Sequence, residues 1–369
     1  MRITDVNVVT LGVKLDEPSM LSRKRTIGFR GAAFVVIDTD EGVQGIGEGY
    51  GPEYFNVETI VERKYKPMLV GEDPLNVERI WRKMLMEPVY WDQKGQGVSA
   101  ASGVDMALWD LVGKYFDVPT YKLMGGDARG DGKLQAYASD LFWDEPEVMA
   151  KAAEGYVRDG FQAVKTHLGN GLKEDEERVM AIKEAIGGAD LMVDVNCGYD
   201  RVDAFKVGRM LERHGVFWYE EPLSPYDVDG YSWLKSKLDI PIATGENEYT
   251  KWGFKELFLR NGVDYAMPDI MRCGGITETR KICSLAEAFD VAVTPHSYTT
   301  GVGLAATIHL MACTPNCQLL EYDVTSFPLY ENMLEKPLEF DDEGFLRLPE
   351  SSGLGVRIPD KLVDEYGVE

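Results

Sequence analysis

Short apolar runs begin at Leu134, Phe161, Leu191, Val216, Ile240, Tyr265, Val291 and Gln318, at intervals of roughly 23–30 residues. The segments between them carry apolar residues at helical spacing, as in 145–158, 174–185, 203–214 and 277–289. Strands alternating with helices at this interval require a parallel sheet with helical crossovers. Eight units predict a closed parallel (β/α) barrel, with a doubly wound open sheet as the alternative. Gly160, Gly215 and Gly262 fall at helix-to-strand turns, where a helix-ending glycine is expected.

The first third reads differently. Residues 3–9 alternate in polarity, 33–38 form a second strand, and Asp40-Glu-Gly42 turns into a third at 43–48, predicting a small antiparallel sheet. Helical patterns follow at 57–68, from Asp73-Pro74 onward, and at 99–116. The glycine-rich stretch 124–132 reads as a linker. The expected organisation is an N-terminal α+β domain (1–130), a barrel (131–324), and a C-terminal segment (325–369) that folds back onto the N-terminal domain.

A chain of 369 residues is long enough for both units. Its formal net charge of −23 argues against nucleic acid and anionic membrane as partners, which need basic surface. An anionic substrate must then be drawn in by a local positive centre. No apolar stretch reaches the roughly 20 residues that span a bilayer, and Met1-Arg-Ile-Thr-Asp5 has no apolar signal core. The five cysteines are odd in number, and the Cys313/Cys317 pair lacks the second pair of a zinc site. A cytoplasmic protein with reduced thiols is expected.

Three carboxylates recur at a step of 26 residues, Asp194, Glu220 and Glu246, each closing an apolar run. Unpaired charges at the ends of buried strands are costly. The cost disappears if the three meet at one hard cation, and oxygen ligands of this kind suit Mg2+. Glu221 has the same residue type, but the step favours Glu220 and places Glu221 outside the ligand set.

In a parallel barrel the active site lies at the C-terminal strand ends. From the second strand to the eighth these ends carry Lys165 and His167; Asp194 and Asn196; Glu220; Glu246; Asp269; His296; and Glu321. Alternation along a strand points Lys165 and His167 the same way, as it does Asp194 and Asn196. Taken singly, Lys165 could be a surface lysine, His167 and His296 hydrogen-bonded strand-end histidines, and Asp269 a helix cap. Seven consecutive strands ending in ionisable groups is not a packing pattern. The run Gly45-x-Gly47-x-Gly49-x-Gly51 leads into no helix of the dinucleotide-binding kind, so no such site is assigned to it.

At these residues the chain resembles the enolase superfamily, and within it the mandelate racemase subgroup. Ala100–Lys114 is similar to the subgroup's capping-domain helix. Glu220-Glu-Pro222, Gly245-Glu-Asn247, Met267-Pro-Asp269 and Cys273-Gly-Gly275 resemble its barrel motifs, and the likeness covers nearly the whole length. The resemblance implies a modified (β/α)7β barrel, with Asp194, Glu220 and Glu246 as Mg2+ ligands. It further implies an Asp269–His296 dyad, Glu321 hydrogen-bonded to a substrate carboxylate, and Asn196 in contact with substrate. The subgroup usually carries Lys-x-Lys at the end of the second strand, and here the sequence is Lys165-Thr-His167. His167 thus occupies the slot of the base and Lys165 the slot that neutralises the carboxylate. An imidazole is a weaker base than a free amine, yet it is largely unprotonated near neutral pH.

Removal of the proton α to a carboxylate through an enediolate is the chemistry implied, with a sugar acid (aldonate or aldarate) as substrate. Loss of a β-hydroxyl would give a 2-keto-3-deoxy acid, making the chain a carbon–oxygen hydro-lyase. Racemisation, epimerisation or sugar-lactone cycloisomerisation uses the same first step, and a catalytically inactive carboxylate binder is a remote alternative. Arg23 in the basic segment 21–26, Tyr50, Tyr54 and Trp91 are candidates to read the distal end of the substrate. The resemblance also implies a homo-oligomer.

Overall fold

The computed structural model describes residues 1–22, 24–50, 54–87, 93–341 and 343–368, apart from the side chains of residues 17, 54 and 55. Three antiparallel strands open the chain, β1 (Ile3–Ser22), β2 (Arg25–Thr39) and β3 (Gln44–Gly49), in that spatial order. The alternation seen in the sequence covers only the base of β1 and β2. Beyond it the two strands run on as a long arm that is mostly exposed on the β2 side, so no hydrophobic period marks it. The arm reaches the barrel. Trp143 N donates to Met20 O at 3.2 Å, and Lys24 Nζ donates to Cys197 O at 3.3 Å. Arg30 clamps its base, lying over the Tyr298 and Phe327 rings at 4.0 and 3.8 Å and pairing with Asp323 at 2.8 Å.

Helix Gln96–Tyr115 is buried on nearly every side and lies directly on β3. The alternate glycines 45, 47 and 49 make that possible, because a Cβ at Gly47 would strike the backbone of Gly103 and Ala107. The glycine run is therefore a packing surface. Asp110 on the same helix takes Ile46 N at 2.9 Å and Leu354 N at 2.8 Å, tying the helix to β3 and to the C-terminal segment. Asp105, one turn and a half earlier, takes Thr277 N at 2.8 Å at the start of barrel helix Gly275–Glu287. Gly275 has φ +78 and a Cβ there would meet the Asp105 carboxylate, which gives the Cys-Gly-Gly motif its physical reason. Helix Asp360–Tyr366 returns to the first sheet, where Val368 N donates to Thr10 O at 3.1 Å.

The barrel strands are β4 (Lys133–Leu141), β5 (Ala163–His167), β6 (Asp190–Asp194), β7 (Trp218–Glu220), β8 (Ile242–Thr244), β9 (Tyr265–Ala266), β10 (Ala292–Val293) and β11 (Leu319–Asp323). They are parallel in the order β10-β9-β8-β7-β6-β5-β4-β11. Val293 bridges to Cys317 beside β11, which closes the ring. With a helix in each of the seven intervals, the architecture is (β/α)7β. The strands read as continuous apolar runs because both faces are covered: Tyr137, Met192, Trp218 and Met267 pack inside, and the helices pack outside. A final strand, β12 (Phe345–Arg347), pairs antiparallel with β4. Gly160 and Gly215 take positive φ as expected, but at the third such turn the left-handed residue is Asn261 (φ 51) instead of Gly262. Asparagine is the usual substitute for glycine in that role.

Candidate active site

The β5–β6–β7 register puts His167 opposite Asp194 and Asp194 opposite Glu220, in one layer at the strand ends. Glu246 arrives by another route. Glu220 pairs with Ala243, so Glu246 lies three residues past its strand register, on a turn through Gly245 (φ +137). The equal step of 26 residues is thus a product of two different geometries. Carboxylate oxygens of Asp194, Glu220 and Glu246 nevertheless lie within 4.8 Å of one another, all buried. They form the one candidate metal cluster of acidic, histidine or cysteine groups among the described residues. The five cysteines are unpaired.

Burial pushes the Asp194 and Glu220 carboxyls up, Glu220 strongly, and neighbouring carboxylates add to it against the pull of Lys165. Glu246 is also buried, but His296 and Arg272 outweigh burial and lower it. Its Oε2 makes no hydrogen bond, although His296 Nε2 is 3.3 Å away. Three mutually repelling buried carboxylates with an unsatisfied oxygen are what a divalent cation with oxygen ligands would relieve. Mg2+ fits this donor set. Glu221 is turned away from it, accepting Asn247 Nδ2 at 2.8 Å and the Cys197 thiol at 3.3 Å. Burial, then Glu246 and Asp194, push it up to about 8.

Lys165 sits between two acids, with Nζ 3.1 Å from Glu220 and 2.5 Å from Glu321. Burial opposes its charge, but Glu220 and Glu321 raise its pKa well above the usual lysine value. Glu321 is held further by the Ser139 hydroxyl and Ser297 N, each at 2.7 Å. Burial works against its ionisation, yet Lys165 and then His296 pull it down to about 2.

Two histidines flank the carboxylates. His296 follows β10 and pairs through Nδ1 with Asp269 at 2.8 Å, while the other oxygen of Asp269 takes Met271 N. His167 ends β5; its Nδ1 is 2.9 Å from Asn196 Oδ1, and its ring stacks on Phe142 at 5.2 Å. Its Nε2 is 3.6 Å from Asp140. Burial disfavours both imidazolium ions, but Glu246 and Glu321 around His296, and Asp140 and Asp194 around His167, raise both pKa values.

Asp140, Asn196, Cys197, Glu221 and Thr250, all at this end of the barrel, have positive φ. For Cys, Glu and β-branched Thr such a backbone costs on the order of 1 kcal/mol or more. Asp140 and Asn196 line a cavity of about 260 Å3 together with Lys165, His167, Asp194, Glu246, His296 and Glu321. It also takes Leu21, Arg25 and Ile27 from the β1–β2 arm and Tyr50 and Gln96 from the first third of the chain. A larger groove of about 1160 Å3 lies on the outside, between the helices Val77–Leu85 and Gly275–Glu287, far from these strand ends.

A family model described as Enolase C-terminal domain-like matches residues 147–362, and one described as Mandelate racemase / muconate lactonizing enzyme, N-terminal domain, matches residues 3–125. The chain belongs to the enolase superfamily. D-galactarolactone cycloisomerase of Agrobacterium fabrum is 33% identical over 99% of both chains. Arabinonate dehydratase of Saccharolobus solfataricus is 34% identical over 89% of both. A solved racemase from Streptomyces coelicolor A3(2) with bound magnesium superposes with a TM-score of 0.91, with 28% identity over 99% of this chain and 100% of that one.

Several residues of this superfamily member escape a strand-end reading that begins at the second strand. Asp140 ends the first barrel strand, so the same rule extended by one strand finds it. Arg272 does not end a strand. It lines the cavity beneath Tyr50, with its guanidinium 4.6 Å from that ring, and donates to Asn247 at 2.9 Å. Tyr298 and Gln96 also line the cavity and carry no signal in the sequence. Of the distal-end candidates, Tyr50 is at the cavity; Arg23, Trp91 and the side chain of Tyr54 lie outside the described residues. Asn196 reaches the cavity, but its amide is already engaged by Asp194 and His167.

Proposed function

We propose that this enzyme dehydrates a sugar acid, an aldonate or aldarate, to a 2-keto-3-deoxy acid. The observation that carries the reading is the placement of His167 and His296. Each is hydrogen-bonded at Nδ1, and they stand on β5 and after β10, with the ligand strands β6, β7 and β8 between them. A substrate held over the carboxylates would then meet one imidazole from each side. Asp194, Glu220 and Glu246 would hold Mg2+, which when bound supplies Lewis-acid polarisation of the substrate carboxylate. His167 Nε2 takes the α-proton. Lys165 and Glu321 give a fixed charged frame for the carboxylate end as negative charge develops. His296, steadied by Asp269, donates the proton with which the β-hydroxyl leaves as water. The resulting enol ketonises to the 2-keto acid. Residues 1–130, completed by 325–369, would form the cap that reads the distal end, and 131–324 the catalytic barrel.

Cycloisomerisation of a sugar lactone is the second reading, favoured by the likeness to the galactarolactone cycloisomerase across both whole chains. It shares the proton abstraction and differs in the leaving group. Racemisation or epimerisation would return the proton from the opposite imidazole, and a binder without catalysis would do neither. One experiment separates these outcomes. A panel of aldonates, aldarates and their lactones is incubated in D2O with Mg2+ and with chelator, and both α-deuteration and ketone formation are read. Ketone from an open-chain acid supports dehydration, and turnover of lactones alone supports the second reading. Absence of metal-dependent α-exchange across the panel would falsify proton abstraction.

A further inference from the structure

A neutral imidazole can take a proton only at the nitrogen that lacks one. Asn196 decides which nitrogen that is in His167. Its backbone N donates to Asp194 Oδ1 at 2.7 Å, and its side-chain Nδ2 donates to Asp194 Oδ2 at 2.9 Å. A carboxylate accepts and does not donate, so the amide must present NH2 to Asp194 and oxygen to His167. That oxygen is 2.9 Å from His167 Nδ1. An amide oxygen has no proton to offer, so the hydrogen in this contact belongs to Nδ1. Nε2 is then the bare nitrogen. It is buried without a hydrogen bond, 3.6 Å from Asp140, and Phe142 stacked on the ring restrains a flip that would exchange the two nitrogens.

We infer that Asn196 is a positioning residue, linking Asp194 to His167 and fixing Nε2 as the atom that exchanges a proton with substrate. The inference rests on the reading of His167 as a base. It departs from the expectation that Asn196 contacts substrate directly, because both ends of its amide are engaged within the protein.

The test uses full-length, Mg2+-loaded enzyme labelled with 15N-histidine. With four histidines in the chain, the His167→Asn variant assigns the His167 resonances by subtraction. Solid-state 15N spectra on the alkaline side of the titration should show neutral His167 protonated at Nδ1 and bare at Nε2. A bare Nδ1 in the wild type overturns the inference without any substitution at Asn196. Asn196→Leu should give mixed tautomers and lower kcat by about 10- to 100-fold on the best-turned-over acid of the panel, with KM little changed. A raised KM with kcat and tautomer unmoved overturns it in favour of direct substrate contact. If the tautomer is as inferred but His167→Asn exchanges the α-hydrogen at the wild-type rate, the base reading falls and the catalytic half of the inference with it. The spectrum alone decides the positioning half.

Discussion

Lys165 and Glu321 form a buried ion pair at 2.5 Å between strands on either side of β4, and the same ammonium reaches Glu220 at 3.1 Å. Removing the ammonium leaves two uncompensated buried acids, a loss on the order of 3–5 kcal/mol. Lys165→Met should lose that stability in urea titrations at pH 8. The loss should shrink at pH 5. In the wild type Glu321 is depressed to about 2, so its contribution is present above the unfolded value. In the variant its pKa rises instead, and the stabilising condition becomes low pH. An equal loss at both pH values would mean that Lys165 acts by packing alone.

Asp269 spends one oxygen on His296 and the other on Met271 N, so Asp269→Asn should leave the fold intact while presenting the wrong partner to Nδ1. A drop in ketone formation of about 10^3- to 10^4-fold is expected, as for other carboxylate–imidazole pairs. His296→Asn should block dehydration but keep α-deuterium exchange, whereas His167→Asn should stop both. The reverse pattern, with exchange surviving only the His167 change, would assign the base to His296.

Strand–helix alternation from residue 134 onward was legible because parallel strands buried on both faces read as unbroken apolar runs. The β1–β2 arm was not, since a two-stranded ribbon exposed along much of its length has no face to mark. The candidate site was partly legible. Strand ends betray ionisable side chains, and Asp194 and Glu220 are true register partners, but Glu246 reaches the cluster through a glycine turn that spacing cannot reveal. Arg272 and the role of Asn196 depend on which partner each side chain meets. That information exists only after folding.

Chelation should abolish turnover and lower the melting temperature, since a cation bound only by the folded state stabilises it by mass action. At one hundred times Kd the gain is about 2.7 kcal/mol. Asp194→Asn and Glu246→Gln should each reduce Mg2+ affinity in calorimetric titrations by at least about tenfold. Glu221→Gln, whose carboxyl faces Asn247 and Cys197, should reduce it far less. Comparable losses at Glu221 and Glu246 would mean that the ligand set has been drawn wrongly.

His309, outside the cavity, supplies a pH dependence of stability that is separate from catalysis. It is fully buried in helix Gly301–Ala312, and its Nδ1 accepts Tyr121 N at 3.1 Å, which requires the neutral ring. Burial lowers its pKa from 6.5 to about 4, against a small opposing effect of the Leu354 backbone. The unfolded chain therefore binds a proton near pH 6.5 that the folded chain refuses, and stability is lost as pH falls from 6.5 toward 4. Between pH 6.5 and 5 this amounts to about 2 kcal/mol. Asparagine can keep an acceptor near the position of Nδ1 and does not titrate. His309→Asn should cost stability at pH 7 through lost packing, but its unfolding free energy should fall less steeply with acid than that of the wild type. The two chains share every other titrating group, so the difference between their denaturation curves at pH 7 and pH 5 isolates this one histidine. Parallel curves would show that the ring is already protonated, or already solvated, in the native state.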